Sequence, residues 1–305
     1  MTKNLAASIR ARLLAVAKSQ AADFNQILVR FAPERFLYRM SQSAHADRFL
    51  LKGALLFALW YDLPHRPTRD ADLLGFGPSD LASIAQTFRD IVNVQVEDGI
   101  IFDPESVSVE EIRKEAGYAG ARVLIAATLA NARCKTQIDI GFGDAVTPGP
   151  VHAVYPVLIE ELPAPRLRTY PAYTVVAEKL HAIALLGMTN SRLKDYMDLS
   201  VLLDREVLDA DILAEAIAAT FVRREMQVPT ELPVGLTEEF GNDPTRQAMW
   251  AAFLKKNQLA SSAGAAVPLG VSRFALTADR QHENDVHLGD IAVEREIPGG
   301  PAADD

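Results

Sequence analysis

The chain has 305 residues, 49% of them hydrophobic, and a net charge of −9, so it is long enough to bury a sizeable core in one or two domains. A single cysteine, Cys134, excludes an internal disulfide framework, and no apolar run approaches the roughly 20 residues that cross a bilayer. Met1-Thr2-Lys3-Asn4 leads into an amphipathic segment with Arg10 and Arg12 and not into a signal-peptide core, so a soluble, cytoplasmic protein with no membrane partner is expected. The acidic balance alone argues against a nucleic-acid partner, but it is uneven. Residues 1–70 carry 11 Lys/Arg against 5 Asp/Glu, which leaves the rest of the chain at −15. A local phosphate-binding face and a set of solvated helix faces both fit that asymmetry.

No internal repeat is present. Apolar positions at Leu5, Ile9, Leu13 and Val16, then at Phe24, Ile27, Leu28 and Phe31, predict helices over 5–18 and 23–40, the second weakened by Pro33. Lys52 to Tyr61 reads as a short helix ended by Leu63-Pro64, and a strand over about 70–76 stops at Gly75-Phe76-Gly77-Pro78. A helix over 79–91 leads to a strand around Val92–Val96. Strands at Arg122–Asn131 and Lys135–Phe142 are close enough in sequence to form an antiparallel hairpin. This order indicates a mixed α/β domain over 1–160. Leu162-Pro163-Ala164-Pro165 marks a boundary to a helical domain over 161–258, with helices at 174–187, 193–204, 210–222 and 243–257. Residues 259–305 form an acidic tail, with 3 Arg against 8 Asp/Glu from Ser261 onward, whose composition predicts poor order.

The chemistry concentrates in Arg69-Asp70-Ala71-Asp72-Leu73-Leu74. Two carboxylates one residue apart at the head of an apolar strand point the same way, because strand side chains alternate faces. Such a pair repels itself unless a positive group lies between, and a divalent metal is the usual solution; a turn in which the aspartates cap and solvate is the competing reading. Asp139, between Ile138 and Ile140, faces away from their apolar side and adds a third acid, although alone it reads as an ordinary solvent-facing residue. Asp144, after Gly141-Phe142-Gly143, reads as a turn residue. Lys52-Gly53-Ala54 opens the short helix, where backbone N–H groups attract phosphate, or else it is a helix start with an exposed lysine. Lys179 lies between Val175 and Ile183 on an apolar helix face, so it either snorkels or meets a negative partner, a triphosphate being one. His181 reads as a packing or surface histidine. Asp195 and Asp198, i and i+3 at a helix start, are equally readable as capping acids and as active-site acids.

Phe49-Leu50-Leu51-Lys52-Gly53-Ala54, Arg66-Pro67-Thr68-Arg69-Asp70-Ala71-Asp72, Val107–Ile112, Gln137–Asp144, Glu178-Lys179 and Arg192–Leu199, in that order and spacing over residues 8–257, resemble the AbiEii/AbiGii-type toxin family of nucleotidyltransferases, itself similar to the DNA polymerase β-like superfamily. The resemblance implies an α+β fold, a polymerase β-like core with a small mixed sheet followed by a helical domain. It further implies that Asp70, Asp72 and Asp139 hold two Mg²⁺ ions, with Mn²⁺ as a substitute. Lys179 is implied to contact nucleotide phosphates and Asp195 to be an active-site acid of the second domain, while Lys52, Gly53, Ala54, Arg69, Arg192 and Lys194 fall to nucleotide binding. Two positions depart from the pattern: Gly53-Ala54 replaces Gly-Gly or Gly-Ser, and Ala71 replaces a bulky apolar residue. The implied activity moves NMP from an NTP to an acceptor hydroxyl on RNA, a tRNA 3′ end, in a toxin restrained by a cognate antitoxin and used in phage defence. The rival readings are a transferase acting on a small molecule or a protein hydroxyl, and an idle module that binds nucleotide or antitoxin.

Overall fold

Two adjacent alternating segments build the centre of the first half of the chain. In the computed structural model, which describes residues 3–61, 68, 70–113, 119–257 and 259 and the backbone of 275–276 and 291–292, they form β5 (Ala119–Leu129) and β6 (Ala132–Phe142), paired antiparallel from Ala121↔Ile140 to Leu129↔Ala132. Around them the sheet runs β3-β5-β6-β2-β1-β8-β7, with β4 pairing the same edge of β5 that β3 does. The other strands are β1 (Phe49–Lys52), β2 (Asp70–Gly75), β3 (Ile100–Phe102), β4 (Ser108–Arg113), β7 (Val151–Val154) and β8 (Arg166–Thr169). Two pairings, β2 with β6 and β1 with β8, are parallel and the rest antiparallel, so the sheet is mixed as expected but, at eight strands, not small.

One face of the sheet carries Ala71, Leu73, Ile138 and Ile140, all fully buried. Helices α1 (Lys3–Ser19), α2 (Phe24–Gln42) and α4 (Leu81–Val92) pack in this unit, α2 against β6 and β8 and α4 against β4. Phe36 stacks on Phe88, and Phe49 and Phe102 meet these rings edge-on. Asp23 and Asp80 cap α2 and α4 through backbone N–H groups of Asn25 and Ser83, the usual aspartate solution to unpaired first-turn donors. Pro33 does not interrupt α2: one lost backbone bond is outweighed by a helix in which Phe31, Phe36, Leu37 and Met40 are all buried.

Several expectations are corrected. Lys52 ends β1 and does not open a helix; the helix that follows, α3, is only Leu55–Trp60. Val92–Val96 is no strand: Val94 N–H bonds back to the Ile91 carbonyl, so the alternating valines finish the turn after α4. The Pro-rich segment 162–165 is not a boundary, because β8 follows it and pairs with β1, Leu51 opposite Thr169. The chain divides instead into units 1–171 and 172–305. The second unit contains α5 (Ala172–Leu186), α6 (Leu193–Arg205), α7 (Ala210–Arg223), α8 (Glu238–Asn242) and α9 (Pro244–Lys256), with Asp209 and Asp243 as N-caps. Apart from Leu259 and the short pair β9 (Ala275–Leu276) and β10 (Ile291–Ala292), the acidic tail lies outside the described residues, as does Arg69. Among the described residues no helix is long and apolar enough to cross a membrane.

Beneath the sheet, α2 buries an unusual charge group. Arg39 grips Asp98 with two hydrogen bonds (2.6 and 3.0 Å), and Arg35 lies 3.0 Å from Glu34. Burial pushes Glu34 up to about 7, against Arg35 and the Leu158 N–H, and burial likewise lowers Arg35. Because the folded-state value lies above the unfolded one, Glu34 costs nothing below about pH 4 and progressively more as pH rises toward 7. Relative to Glu34→Gln, the wild type should therefore lose about 3 kcal/mol of stability between pH 4 and pH 8, measured by urea melts at each pH.

Candidate active site

The face of the sheet opposite the Ala71/Leu73 side presents a row of charges set by strand register. Lys52 stands opposite Asp72, Asp72 opposite Asp139, Asp139 opposite Arg122 and Arg122 opposite Glu110. Directly opposed residues share a face, so the order across β1, β2, β6, β5 and β4 is plus, minus, minus, plus, minus. Asp70 lies on the same face two residues along β2, opposite Gln137. The three acids singled out from the sequence are thus brought to one face, two on one strand and the third on its neighbour.

Flanking cations neutralise this row. Arg122 donates Nε–H and an Nη2–H to the two oxygens of Asp139, both at 2.8 Å, and the Gln137 amide adds a third contact at 3.2 Å. Asp139, with Asp70 and Glu110 adding to it, holds the Arg122 guanidinium above the ordinary arginine value against a smaller effect of burial. Lys52, buried, donates to Asp144 Oδ2 at 2.7 Å and to the Tyr170 hydroxyl at 3.1 Å. Asp144, expected as a plain turn residue, is therefore the carboxylate that holds the lysine at the end of β1.

Gly53 shapes the same place. Its φ of +72° is a left-handed conformation, and a Cβ added there would fall 2.1 Å from Asp72 Oδ2. The carboxylate lies on the bare backbone of Gly53, a contact that only glycine permits. Ala54, next along, is buried and faces no such constraint. The helix expected to open at Lys52-Gly53-Ala54 begins instead at Leu55, with Ala54 as its N-cap, and runs for six residues, while Gly53 lies against Asp72. Gly53→Ala should cost about 1–2 kcal/mol from backbone conformation alone and remove activity by displacing Asp72, which a thermal melt and a transfer assay on one preparation would separate.

The sequence profile of the nucleotidyl transferase AbiEii toxin, type IV toxin–antitoxin system, matches residues 35–268, more than half of the chain and all of this row. The chain belongs to the AbiEii family. It is thereby a member of a family of nucleotidyltransferase toxins, whose toxin–antitoxin context implies a cognate antitoxin. Two solved structures are similar to it: a candidate nucleotidyltransferase from H. pylori, at 15% identity and TM-score 0.36, covering 78% of this chain and 97% of that one; and JHP933 from Helicobacter pylori, at 16% identity and TM-score 0.37, covering 73% and 91%. No curated protein matches the sequence.

In the second unit of this AbiEii chain Lys179, Asp195 and Asp198 form a buried cluster. Lys179 on α5 donates to Asp195 Oδ1 at 2.8 Å and to Asp198 Oδ2 at 2.6 Å, both on α6. Arg192 adds a bond to Asp195 Oδ2 at 2.7 Å, while Lys194 is exposed one position before Asp195. The two aspartates are almost wholly buried, 1% and 0% exposed, so neither is a solvated helix cap. The negative partners that the apolar surroundings of Lys179 demanded are these two carboxylates. Burial opposes charge on both Lys179 and Asp195, and their mutual attraction prevails: Lys179 is held above, and Asp195 below, its ordinary range. His181 is buried, edge-on to Phe221 at 5.0 Å, in keeping with a packing role.

The donor chemistry of the sheet face suits a hard divalent cation: carboxylate oxygens at i and i+2 of β2, with one more on the adjoining strand. Asp70, Asp72 and Asp139 supply that donor set, the last of them engaged by Arg122. Among the described residues no group of three His, Cys, Asp or Glu side chains is gathered to hold a metal, and Asp139 accepts hydrogen bonds from Arg122 through both of its oxygens.

Proposed function

We propose that this protein transfers NMP from an NTP to an acceptor hydroxyl on RNA, at a tRNA 3′ end, with Mg²⁺ held by Asp70, Asp72 and Asp139. The observation that carries the reading is the in-register alignment of Asp72 with Asp139 beside Asp70 on one sheet face, within an AbiEii chain. A bound divalent cation supplies charge neutralisation at the triphosphate and polarises the reacting phosphoryl oxygen. The chain's own residues prepare that place. Gly53 lets the Asp72 carboxylate lie against the backbone, Lys52 and Asp144 brace the neighbouring strand, and the rigid ladder of β2 and β6 holds the acids in register. An acceptor hydroxyl oxygen then attacks the α-phosphorus, its proton passing to solvent, as the bond to pyrophosphate breaks, in surroundings whose charge is arranged before substrate arrives. As a toxin, the protein would be restrained by its cognate antitoxin and would serve in phage defence. Purified protein incubated with Mg²⁺, each α-labelled NTP and total tRNA should label tRNA with one preferred nucleotide. Label on the protein alone would redirect the reading to protein modification, and no label with any nucleotide or RNA would refute it.

A further inference from the structure

Arg122 stands apart from the residues that the family or the sequence motifs single out. It lies on β5, outside the Asp70–Asp72 motif and the Gln137–Asp144 segment, yet register sets it directly opposite Asp139. Its fork occupies both oxygens of the carboxylate that the proposed metal site needs as third ligand. Its side chain is one-third exposed on the face that carries Asp72, with Glu110, 4.0 Å away and itself mostly exposed, on its other side. A planar guanidinium with paired N–H groups binds carboxylate and phosphate in the same bidentate way, so the two compete for it on equal geometric terms.

We propose that Arg122 is an exchange residue: nucleotide phosphate takes the guanidinium from Asp139, and Asp139, once released, completes the cation site. The exchange is non-covalent and balanced, each partner of the Arg122–Asp139 pair being replaced by another of like sign. Without substrate, Arg122 neutralises a carboxylate that stands next to Asp72, where two like charges in register would otherwise destabilise the sheet. With substrate, triphosphate and cation arrive together and divide the pair between them. Cation and nucleotide must then strengthen each other's binding by the same factor, since coupling between two sites is reciprocal. Arg122 thus acts as a positioning residue for Asp139 before substrate binds and as a phosphate contact afterwards. This inference rests on the proposed nucleotidyl-transfer reading of the site.

The test measures Mn²⁺ binding to the full chain by electron paramagnetic resonance, with and without a non-transferable α,β-methylene NTP analogue, in wild type, Arg122→Gln, Arg122→Lys and Asp72→Asn. In wild type the analogue should tighten Mn²⁺ binding by about tenfold or more. Arg122→Gln should bind Mn²⁺ more tightly than wild type when no analogue is present, because Asp139 is no longer held. It should bind the analogue about tenfold more weakly, and the coupling should fall to near one. Arg122→Lys, which keeps the charge and loses the fork, should be intermediate, and it decides the matter if Arg122→Gln does not fold. Unchanged Mn²⁺ and analogue affinities in both Arg122 variants would overturn the exchange while leaving the cation site standing, provided Asp72→Asn abolishes Mn²⁺ binding. Weaker Mn²⁺ binding in the Arg122 variants without analogue would also overturn it, since the arginine would then only orient Asp139. Wild-type protein that binds no Mn²⁺ with or without analogue would overturn the reading of the site, and the exchange with it.

Discussion

Asp72→Asn should abolish nucleotidyl transfer while leaving the protein folded. Asparagine keeps the shape that rests against Gly53, where Asp72 Oδ2 occupies the space a Cβ would fill, so the packing survives. The substitution removes one of two like charges in register, Asp72 and Asp139, together with the charge opposite Lys52. It also removes a hard anionic oxygen from the proposed cation site, which costs several kcal/mol of transition-state stabilisation, or about a thousandfold or more in rate. Single-turnover label transfer and a urea melt on the same sample would show this pattern. A variant that keeps its rate removes Asp72 from the chemistry, and one that loses rate and fold together makes Asp72 structural.

Lys179→Met should have the reverse signature, a large loss of stability in the second unit. The substitution leaves Asp195 and Asp198 buried without the ammonium that both contact, at 2.8 and 2.6 Å. Breaking a buried pair from one side costs about 3–5 kcal/mol, more than the removal of an exposed phosphate-binding lysine. The pH dependence follows from the directions of the shifts. Burial works against both charges and is outweighed, so Asp195 is depressed and Lys179 raised. The contribution of Asp195 is present above its unfolded value of about 3.9 and is lost as pH falls through the lower folded value; that of Lys179 is present below about 10.4 and is lost as pH rises through the higher folded value. The deficit of Lys179→Met should therefore be flat from about pH 5 to 9 and shrink in acid. Adding Asp198→Asn should recover part of it. A lysine whose only task is to meet triphosphate would leave the melt unchanged, whereas the role implied by family resemblance requires Lys179 to give up part of this network when substrate arrives.

Where local pattern and burial coincide, the fold is legible. The alternation in β5 and β6, the Asp-headed β2 and the helices α5, α6, α7 and α9 follow from periodicity, with Asp caps at α7 and α9. What escapes is short or distant. Phe49-Leu50-Leu51-Lys52 is buried at every position, so β1 has no alternation to distinguish it from the helix that follows. β8 has four residues and finds its parallel partner, β1, more than 100 positions earlier. Val92–Val96 alternates well and still forms no strand, because no neighbour takes up its backbone groups in a ladder. The candidate site divides along the same line. Asp70, Asp72 and Asp139 could be named from spacing, but Arg122 and Asp144 acquire meaning only from register: Arg122 from its place opposite Asp139, and Asp144 from the lysine on β1 that it holds. The left-handed backbone and the carboxylate against Gly53 likewise belong to tertiary contact, although a glycine after Lys52 gave a partial signal.

The connection order of the sheet also sets when a growing chain can assemble the proposed site. β2 emerges early in synthesis carrying Asp70 and Asp72, but its parallel neighbour is β6, and Lys52 on β1 waits for Asp144 and Tyr170. At about 5–20 residues per second, several seconds separate translation of the first acids from that of the last brace. A product cut short before residue 137 lacks Asp139, the ladder that holds β2 and the clamp on Lys52 together. On the proposed reading of the site, only a chain that has passed β8 carries all of these acids and braces together.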